Sequence, residues 1–407
     1  MPYQPTLNFK LSDGTDLGNL NPPWITKEYL MTVYPQIGNQ LITPELWVWG
    51  QNITYGAIGD NTTTDRSTPV TTLAGGANWK QVSSGGNHVI GIKNDGTLWT
   101  WGRNSRGQLG TGTAVDRLTP VTTFAGGTNW KQVAGTDQIS FGIKTDGTLW
   151  TWGYNLQNTL GNNTSNNCST PVTTFAGGTE WKQVAAGGYA AAAIKTDGTL
   201  WVWGKNYTTG QLGINNASNT PATPVTTFAG GTNWKQVACG GNFMSAIKTD
   251  GTLWTWGVNA YGQLGINSTT GPICTPVTTF AGGTNWKQVA CGGGPNVIAI
   301  KTDGTLWCWG RNNTGSIGDN TATNRLTPVT TFAGGTNWKQ SSANGAIKSD
   351  GSLWMWGGNG SGQLGDNTTT TRSTPVTTFA GGTNWKQFTG GSATTYAIRT
   401  SDDLQGI

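Results

Sequence analysis

The sequence predicts an all-β fold: a seven-bladed β-propeller closed by pairing of its N- and C-terminal strands, preceded by a short non-repeat segment. Two repeated anchors and the state of the chain ends lead there. Leu-Trp-x-Trp-Gly occurs seven times at intervals of about fifty residues, with tryptophans at Trp47/Trp49, Trp99/Trp101, Trp150/Trp152, Trp201/Trp203, Trp254/Trp256, Trp307/Trp309 and Trp354/Trp356. Trp-Lys-Gln also occurs seven times, at Trp79, Trp130, Trp181, Trp234, Trp286, Trp338 and Trp385, and with Trp24 these account for all 22 tryptophans. The repeat begins at Leu46-Trp47-Val48-Trp49, the last strand of a unit without its earlier strands. It ends at Tyr396-Ala397-Ile398-Arg399, in a unit without its last strand. The two partial units complete each other, and a ring closed in this way leaves no free edge between the ends.

In chain order, residues 1–45 come first and match no repeat; residues 46–407 form the propeller. The first segment carries Trp24, Tyr29, Met31 and Tyr34. It is expected either to pack on the ring as a strap or, through Trp24, Tyr29 and Tyr34, to anchor the ring on a larger assembly. Each unit then reads as four strands: Thr-Pro-Val-Thr-Thr-Phe, Asn-Trp-Lys-Gln-Val, Ala-Ile-Lys and Thr-Leu-Trp-Thr-Trp. The proline strand, as at Pro69 or Pro120, belongs on an outer edge, where a missing N–H costs no ladder bond. Glycine pairs such as Gly187-Gly188 suit the place where blades crowd together. Asp146-Gly147 and its equivalents are hairpin turns, because both turn positions tolerate positive φ. In Leu149-Trp150-Thr151-Trp152 the two indoles lie two residues apart and share one face, which the neighbouring blade must cover.

The formal charge of +5 is distributed by the repeat. Lys80, Lys131, Lys182, Lys235, Lys287, Lys339 and Lys386 hold one position, and Lys93, Lys144, Lys195, Lys248, Lys301, Lys348 and Arg399 a second. Asp95 and its six equivalents hold a third. Charge spread evenly round a ring is a scaffold property, so nucleic acid is not expected as a partner. The five cysteines lack metal-ligand spacing and are expected as free, core-filling thiols. A single histidine excludes a multi-histidine metal site and makes any Ser-His-Asp triad depend on His88, which is expected at the surface near a glycine-rich turn. Gly360-Ser361-Gly362-Gln363-Leu364-Gly365 fits a nucleotide-loop pattern literally, but it follows a Trp-rich strand and precedes no helix. The sequons at Asn52, Asn61 and Asn267 read as loop tips, and Asp60, Asp319 and Asp366 as solvated loop residues rather than a cation site. No catalytic residue, metal or cofactor is expected. No apolar stretch reaches signal-peptide or membrane-span length, so membrane insertion is not expected either.

Gly-Thr-Leu-Trp-Thr-Trp-Gly-x-Asn followed by Gly-Gln-Leu-Gly, as at Gly107–Gly110 and Gly262–Gly265, resembles the regulator of chromosome condensation repeat family over roughly residues 46 to 403. The resemblance implies the seven-bladed fold and a platform for grafted binding sites: its members include a nucleotide-exchange factor for a small GTPase and a protein inhibitor of β-lactamases. Family units commonly carry His after the inner Gly-Gly pair. Here only His88 does so, with Asp137, Tyr189, Phe243, Asn296 and Thr394 near that point in other units. No loop insertion resembles the wedge that displaces nucleotide in the exchange factor. The near-verbatim copies of Thr-Pro-Val-Thr-Thr-Phe-Ala-Gly-Gly-Thr-Asn-Trp-Lys-Gln, and the opening Leu7–Gly14, also resemble propellers carried by bacteriophages and environmental viral sequences.

Among copied units, what varies marks candidate contacts. One variable stretch runs from Trp-Gly to the next Thr-Pro and contains Arg103, Arg106, Tyr154, Asn155, Tyr207, Tyr261, Arg311 and Arg325; the other follows Gly-Gly and contains His88, Asp137, Tyr189 and Phe243. Tyr and Arg are favoured at interfaces. The expected function is non-enzymatic binding. In the first reading the propeller is virion-associated: residues 1–45 dock on other particle proteins, and the loops meet a host-surface ligand such as a glycan. The alternative is a cytoplasmic protein-interaction propeller, including a small-GTPase regulator.

Overall fold

The computed structural model describes residues 8–10, 16–19 and 44–400, apart from 53, 74–77, 293, 343 and 392. Trp24, Tyr29 and Tyr34, the expected anchor, lie outside the described residues. Asn8–Lys10 pairs with Asp16–Asn19 as a two-stranded antiparallel sheet. Every other described strand belongs to one of seven four-stranded antiparallel sheets, and no helix occurs among the described residues. The fold is the seven-bladed propeller that the repeats predict.

Blade 1 consists, from the central channel outward, of Trp79–Ser84, His88–Lys93, Leu98–Gly102 and Arg117–Thr122. Blades 2 to 6 start at Trp130, Trp181, Trp234, Trp286 and Trp338. Blade 7 joins Trp385–Gly390 and Thr394–Thr400 from the end of the ring to Pro44–Gly50 and Arg66–Thr71 from its start. The closing pair runs unbroken from Pro44↔Thr400 to Gly50↔Thr394.

The phase of the unit differs from the sequence expectation. The proline strand pairs with the Leu-Trp-x-Trp strand that precedes it, as in Trp150↔Thr173 and Thr151↔Val172, not with the Trp-Lys-Gln strand that follows it. It is indeed the outer edge strand, but of the previous blade, so closure is two strands on two. The short Thr-Thr-Phe-Ala-Gly-Gly link crosses between blades, while the long loop after Trp-Gly turns back within one blade.

Blade-to-blade packing explains the rest of the repeat. Trp130, Val133 and Trp152 of blade 2 pack against Ile90, Ile92 and Leu98 of blade 1, so the shared indole face is covered by the preceding blade. Burying such a side chain contributes roughly 2–3 kcal/mol. The second indole of each Leu-Trp-x-Trp pair also reaches backward: Trp101 Nε1 donates to Ala57 O at 2.9 Å and Trp152 Nε1 to Gln108 O at 2.8 Å. The same bond recurs at Trp49, Trp203, Trp256, Trp309 and Trp356, completing the circle.

The glutamine of Trp-Lys-Gln zips the inner strands together. Gln132 Nε2 donates to Val184 O at 3.0 Å, and Gln132 Oε1 accepts from Val184 N at 3.1 Å. A side-chain amide thus stands in for a β-ladder peptide, giving the inner edge strand of the next blade a partner for both backbone groups. Gln81, Gln183, Gln236, Gln288 and Gln387 repeat the pair. Where the strands converge there is no room for a side chain: a Cβ on Gly187 would strike the Gly240 carbonyl of the next blade. The channel wall is small and polar, with Ser83, Ala134, Ala185, Ala238, Ser342 and Thr389 around a cavity of about 510 Å³. All five cysteines are free; Cys308 is core, and Cys239 and Cys291 pack against the core of their blades while also lining this channel.

Candidate functional site

The loop between the first and second strands and the loop between the third and fourth leave an antiparallel blade at the same end. In blade 1 they touch, Arg103 N donating to Asn87 O at 2.9 Å. Both variable stretches therefore share one face of the ring, and the Asp-Gly turns occupy the other.

The long loop is held by a buried asparagine. Asn104 Oδ1 accepts from Leu109 N at 2.9 Å, and its Nδ2 donates to Thr113 O at 2.9 Å and Val115 O at 3.0 Å. Asn52, Asn155, Asn206, Asn259, Asn312 and Asn359 are buried at the equivalent position. Asn155 is therefore scaffold rather than a variable contact, and Asn52 is no loop tip. Asn61 and Asn267 do sit in turns, at φ 61 and 58. Three loops are braced further by Asp60–Arg66 at 2.8 Å, Asp319–Arg325 at 2.6 Å and Asp366–Arg372 at 2.8 Å. Burial opposes the charge on Asp60, but hydrogen bonds from Thr62 and Arg66 outweigh it and hold its carboxyl below the usual range. These aspartates are thus ion-paired braces rather than solvated residues, and Arg325 is one of the braces.

Once the scaffold is set aside, a pairing rule emerges. The residue after Trp-Gly in one blade meets the residue before the Gly-x-Leu/Ile-Gly turn in the preceding blade. Arg103 lies over Tyr55 at 5.1 Å, Tyr154 under Arg106 at 5.4 Å and Arg311 over Tyr261 at 5.0 Å. The Tyr154 ring continues to Tyr189, 5.6 Å away, and Lys205 lies 5.7 Å from the Tyr189 ring. Loops of blades 7, 1, 2 and 3 thereby present one cation–aromatic sector. Exposed Asp137 stands at the adjoining mouth of the channel. Burial raises the Tyr189 hydroxyl above its ordinary pKa and the Asp137 carboxylate adds to this, against the pull of Arg106 and Arg103, so it stays a neutral donor. A guanidinium stacked on tyrosine keeps its forked donors free for a ligand, and each exposed stack is worth about 0.5–1 kcal/mol. Farther round, Arg311, Asn313, Asn344 and Gln363 line a cleft of about 260 Å³.

The structure brings together Arg103, Arg106, Tyr154 and Tyr189, with Asp137 beside them, and pairs Tyr261 with Arg311. Tyr207 is 65% exposed and stacks on no neighbour among the described residues. His88 and Phe243 are corrections: they open the second strand, opposite Gly102 and Gly257, and are fully buried. The second strand is buried on both faces, so its first residue is buried with it, while the residue just before, Asn87 or Asn242, stays in the loop. His88 Nε2 lies 2.9 Å from Ser140 Oγ, which donates to Gln108 O at 2.7 Å, and among the described residues no carboxylate bonds to the imidazole to complete a triad. Among the described residues no three His, Cys, Asp or Glu side chains are grouped to hold a metal. The Gly360–Gly365 run is the repeat turn, with Gly365 against the Trp49 indole. Tyr55 and Lys205 escaped the sequence reading, although Tyr55 holds the place of Arg106 and Tyr261 before its turn, and Lys205 that of Arg103 after Trp-Gly.

The family model described as RCC1-like domain matches residues 45–397. The chain belongs to the RCC1-like domain family. This RCC1-like propeller is 29% identical over 301 residues to the ultraviolet-B receptor UVR8 of Arabidopsis thaliana, covering 72% of this chain and 66% of the receptor. It is 31% identical over 229 residues to the human E3 ubiquitin-protein ligase HERC2, covering 55% of this chain and 5% of the ligase. The chain thus spans just under two thirds of the one relative and a small fraction of the other. Among solved structures, Prp20p of Saccharomyces cerevisiae superposes with a TM-score of 0.76 at 18% identity, covering 89% of this chain and 93% of that one. Human WBSCR16 superposes with a TM-score of 0.77 at 19% identity, covering 88% and 100%. At these identities the likeness is one of fold.

Proposed function

We propose that this RCC1-like propeller is an interaction module that engages a protein partner through its loop face, centred on Arg103, Arg106, Tyr154, Tyr189 and Lys205. The observation that carries the reading is the continuous Arg106–Tyr154–Tyr189–Lys205 stack across three blades. Tyr and Arg held in place lose little entropy on binding and are enriched among the few residues that dominate protein interfaces. The relatives agree in kind. Prp20p has binding properties toward Gsp1p and histones, and the plant and human relatives give the particle-borne display reading no support.

The test is affinity capture from the soluble extract of the source cells with the intact propeller and with Arg106→Ala/Tyr154→Ala, followed by direct binding of the captured protein. The variant is expected to bind at least about tenfold more weakly, since hot-spot truncations cost about 2 kcal/mol or more. Equal binding by both would remove this sector as the interface. Co-migration of the chain with capsid proteins on a density gradient would favour the display reading instead.

A further inference from the structure

The face opposite the loops holds a second arrangement. The two lysine positions of the repeat, indistinguishable by charge, meet different fates. Lys93, Lys144, Lys195, Lys248, Lys301 and Lys348 lie over tryptophan pairs, for example Lys144 at 4.4 Å from the Trp150 ring and Lys348 at 4.4 Å from that of Trp354. The Lys80 position is excluded from the sheet. In blade 1 Trp79 pairs with Lys93 and Gln81 with Ile92, leaving Lys80 as the extra residue of a bulge, and the same shift occurs in all seven blades. A bulge on an edge strand re-aims its side chain. All seven lysines are exposed, and among the described residues none makes an ion pair. Lys80, Lys131 and Lys386, with Gln340 from a fourth blade, line a cavity of about 520 Å³ at the mouth of the channel. The repeat places the other four lysines at the equivalent point of the rim. The Asp-Gly carboxylates of blades 1 to 6 number one per blade against two cations and are engaged by their own turns, as Asp95 is by Thr97. Glu180 is taken by Lys195, and Glu45 sits opposite Arg399.

We propose that this mouth is a binding site for a compact small molecule carrying several phosphate groups. Lysine binds phosphate as a point charge. Seven ammonium groups around one axis favour a ligand whose negative charges are equally clustered. The cavity has the size of a small-molecule site, about 300–1,000 Å³. The tryptophan at its edge, Trp79, is buried and offers no platform for stacking bases. The site is independent of the loop-face interface.

Calorimetric titration of the full chain with inositol hexakisphosphate tests this. The wild type is expected to bind one equivalent saturably. Lys80→Gln/Lys131→Gln/Lys386→Gln is expected to bind at least about tenfold more weakly at an unchanged melting temperature. Arg103→Gln/Arg106→Gln/Lys205→Gln, which removes equal charge from the loop face, is expected to bind as the wild type does. Absence of saturable binding, or equal weakening in both variants, would overturn the proposal. So would a short DNA duplex that binds more tightly than the probe and depends on the same three lysines.

Discussion

At the residue scale, the repeat lets each side chain be judged against six copies of its surroundings. Tyr154, Tyr189, Arg103 and Arg106 were legible as neighbours on the loop face because they vary at loop positions. His88 and Phe243 break it too, but one residue farther on, where the strand has begun and both of its faces are covered. Without the strand's starting residue, variation alone does not separate a surface contact from a core substitution. Burial pushes the His88 imidazole down to about 4 from its ordinary 6.5, outweighing backbone hydrogen bonds with Asp137 and Gly85 that favour its charged form. Below pH 6.5 the unfolded chain takes up a proton that the folded chain refuses. Stability therefore holds above pH 6.5 and is lost as pH falls toward 4, by about 3 kcal/mol in all. The turn carboxylates of the Asp95 class, held below 3.8 chiefly by Thr97-type backbone hydrogen bonds, add their losses only at lower pH. Urea unfolding at pH 7 and pH 4.5 checks this: the wild type should weaken between the two, while His88→Ile, which installs the residue blade 2 has at this point, should not. An identical pH response in both proteins would mean that His88 is not the titrating group.

At the element scale, the strands themselves were plain in the sequence, from the spacing of the tryptophans, the Asp-Gly turns and the edge prolines. Their grouping into blades was not. The long loop after Trp-Gly looks like a linker and the short Ala-Gly-Gly link like a hairpin, yet the buried Asn104 class folds the long loop back onto its own blade. The role of the Trp-Lys-Gln glutamine was equally hidden, since nothing in one sequence says that an exposed-looking amide faces the next blade's backbone. That role predicts a clear asymmetry. Gln132→Ala leaves both Val184 N–H and Val184 C=O without their partner and should destabilise the protein by about 2 kcal/mol. Lys131→Ala, one residue away on the same strand but outside the ladder, should change stability by less than about 0.5 kcal/mol. Denaturant midpoints of the two variants decide it, and equal midpoints would show that the amide zipper carries no net stability.

At the scale of the whole molecule, stability is a property of closure. Each blade covers its indole face with the blade before it, so an open ring would leave one such face and one unzipped inner edge exposed, as an uncapped solenoid does. The closing blade concentrates this dependence in a single strand. Thr394–Thr400 pairs on one side with Trp385–Gly390 and on the other with Pro44–Gly50. Within it Tyr396, Ala397 and Ile398 are buried, and Tyr396 donates to Ala57 O at 3.1 Å. Removing residues 397–407 deletes the partners of Pro44, Glu45, Leu46 and Trp47 and takes Arg399 from beside Trp385. Three paired residues, Thr394 to Tyr396, are too few to hold the chain ends together against the entropy of two free termini. The truncated protein should melt at least about 10 °C lower, and over a broader transition, because blades near the opened junction can fray before the rest. Scanning calorimetry of the full and truncated chains reads both quantities. A lowered but equally sharp transition would mean that blade 7 unfolds with the whole ring rather than ahead of it, and an unchanged melting temperature would mean that the ring is not closed by these strands.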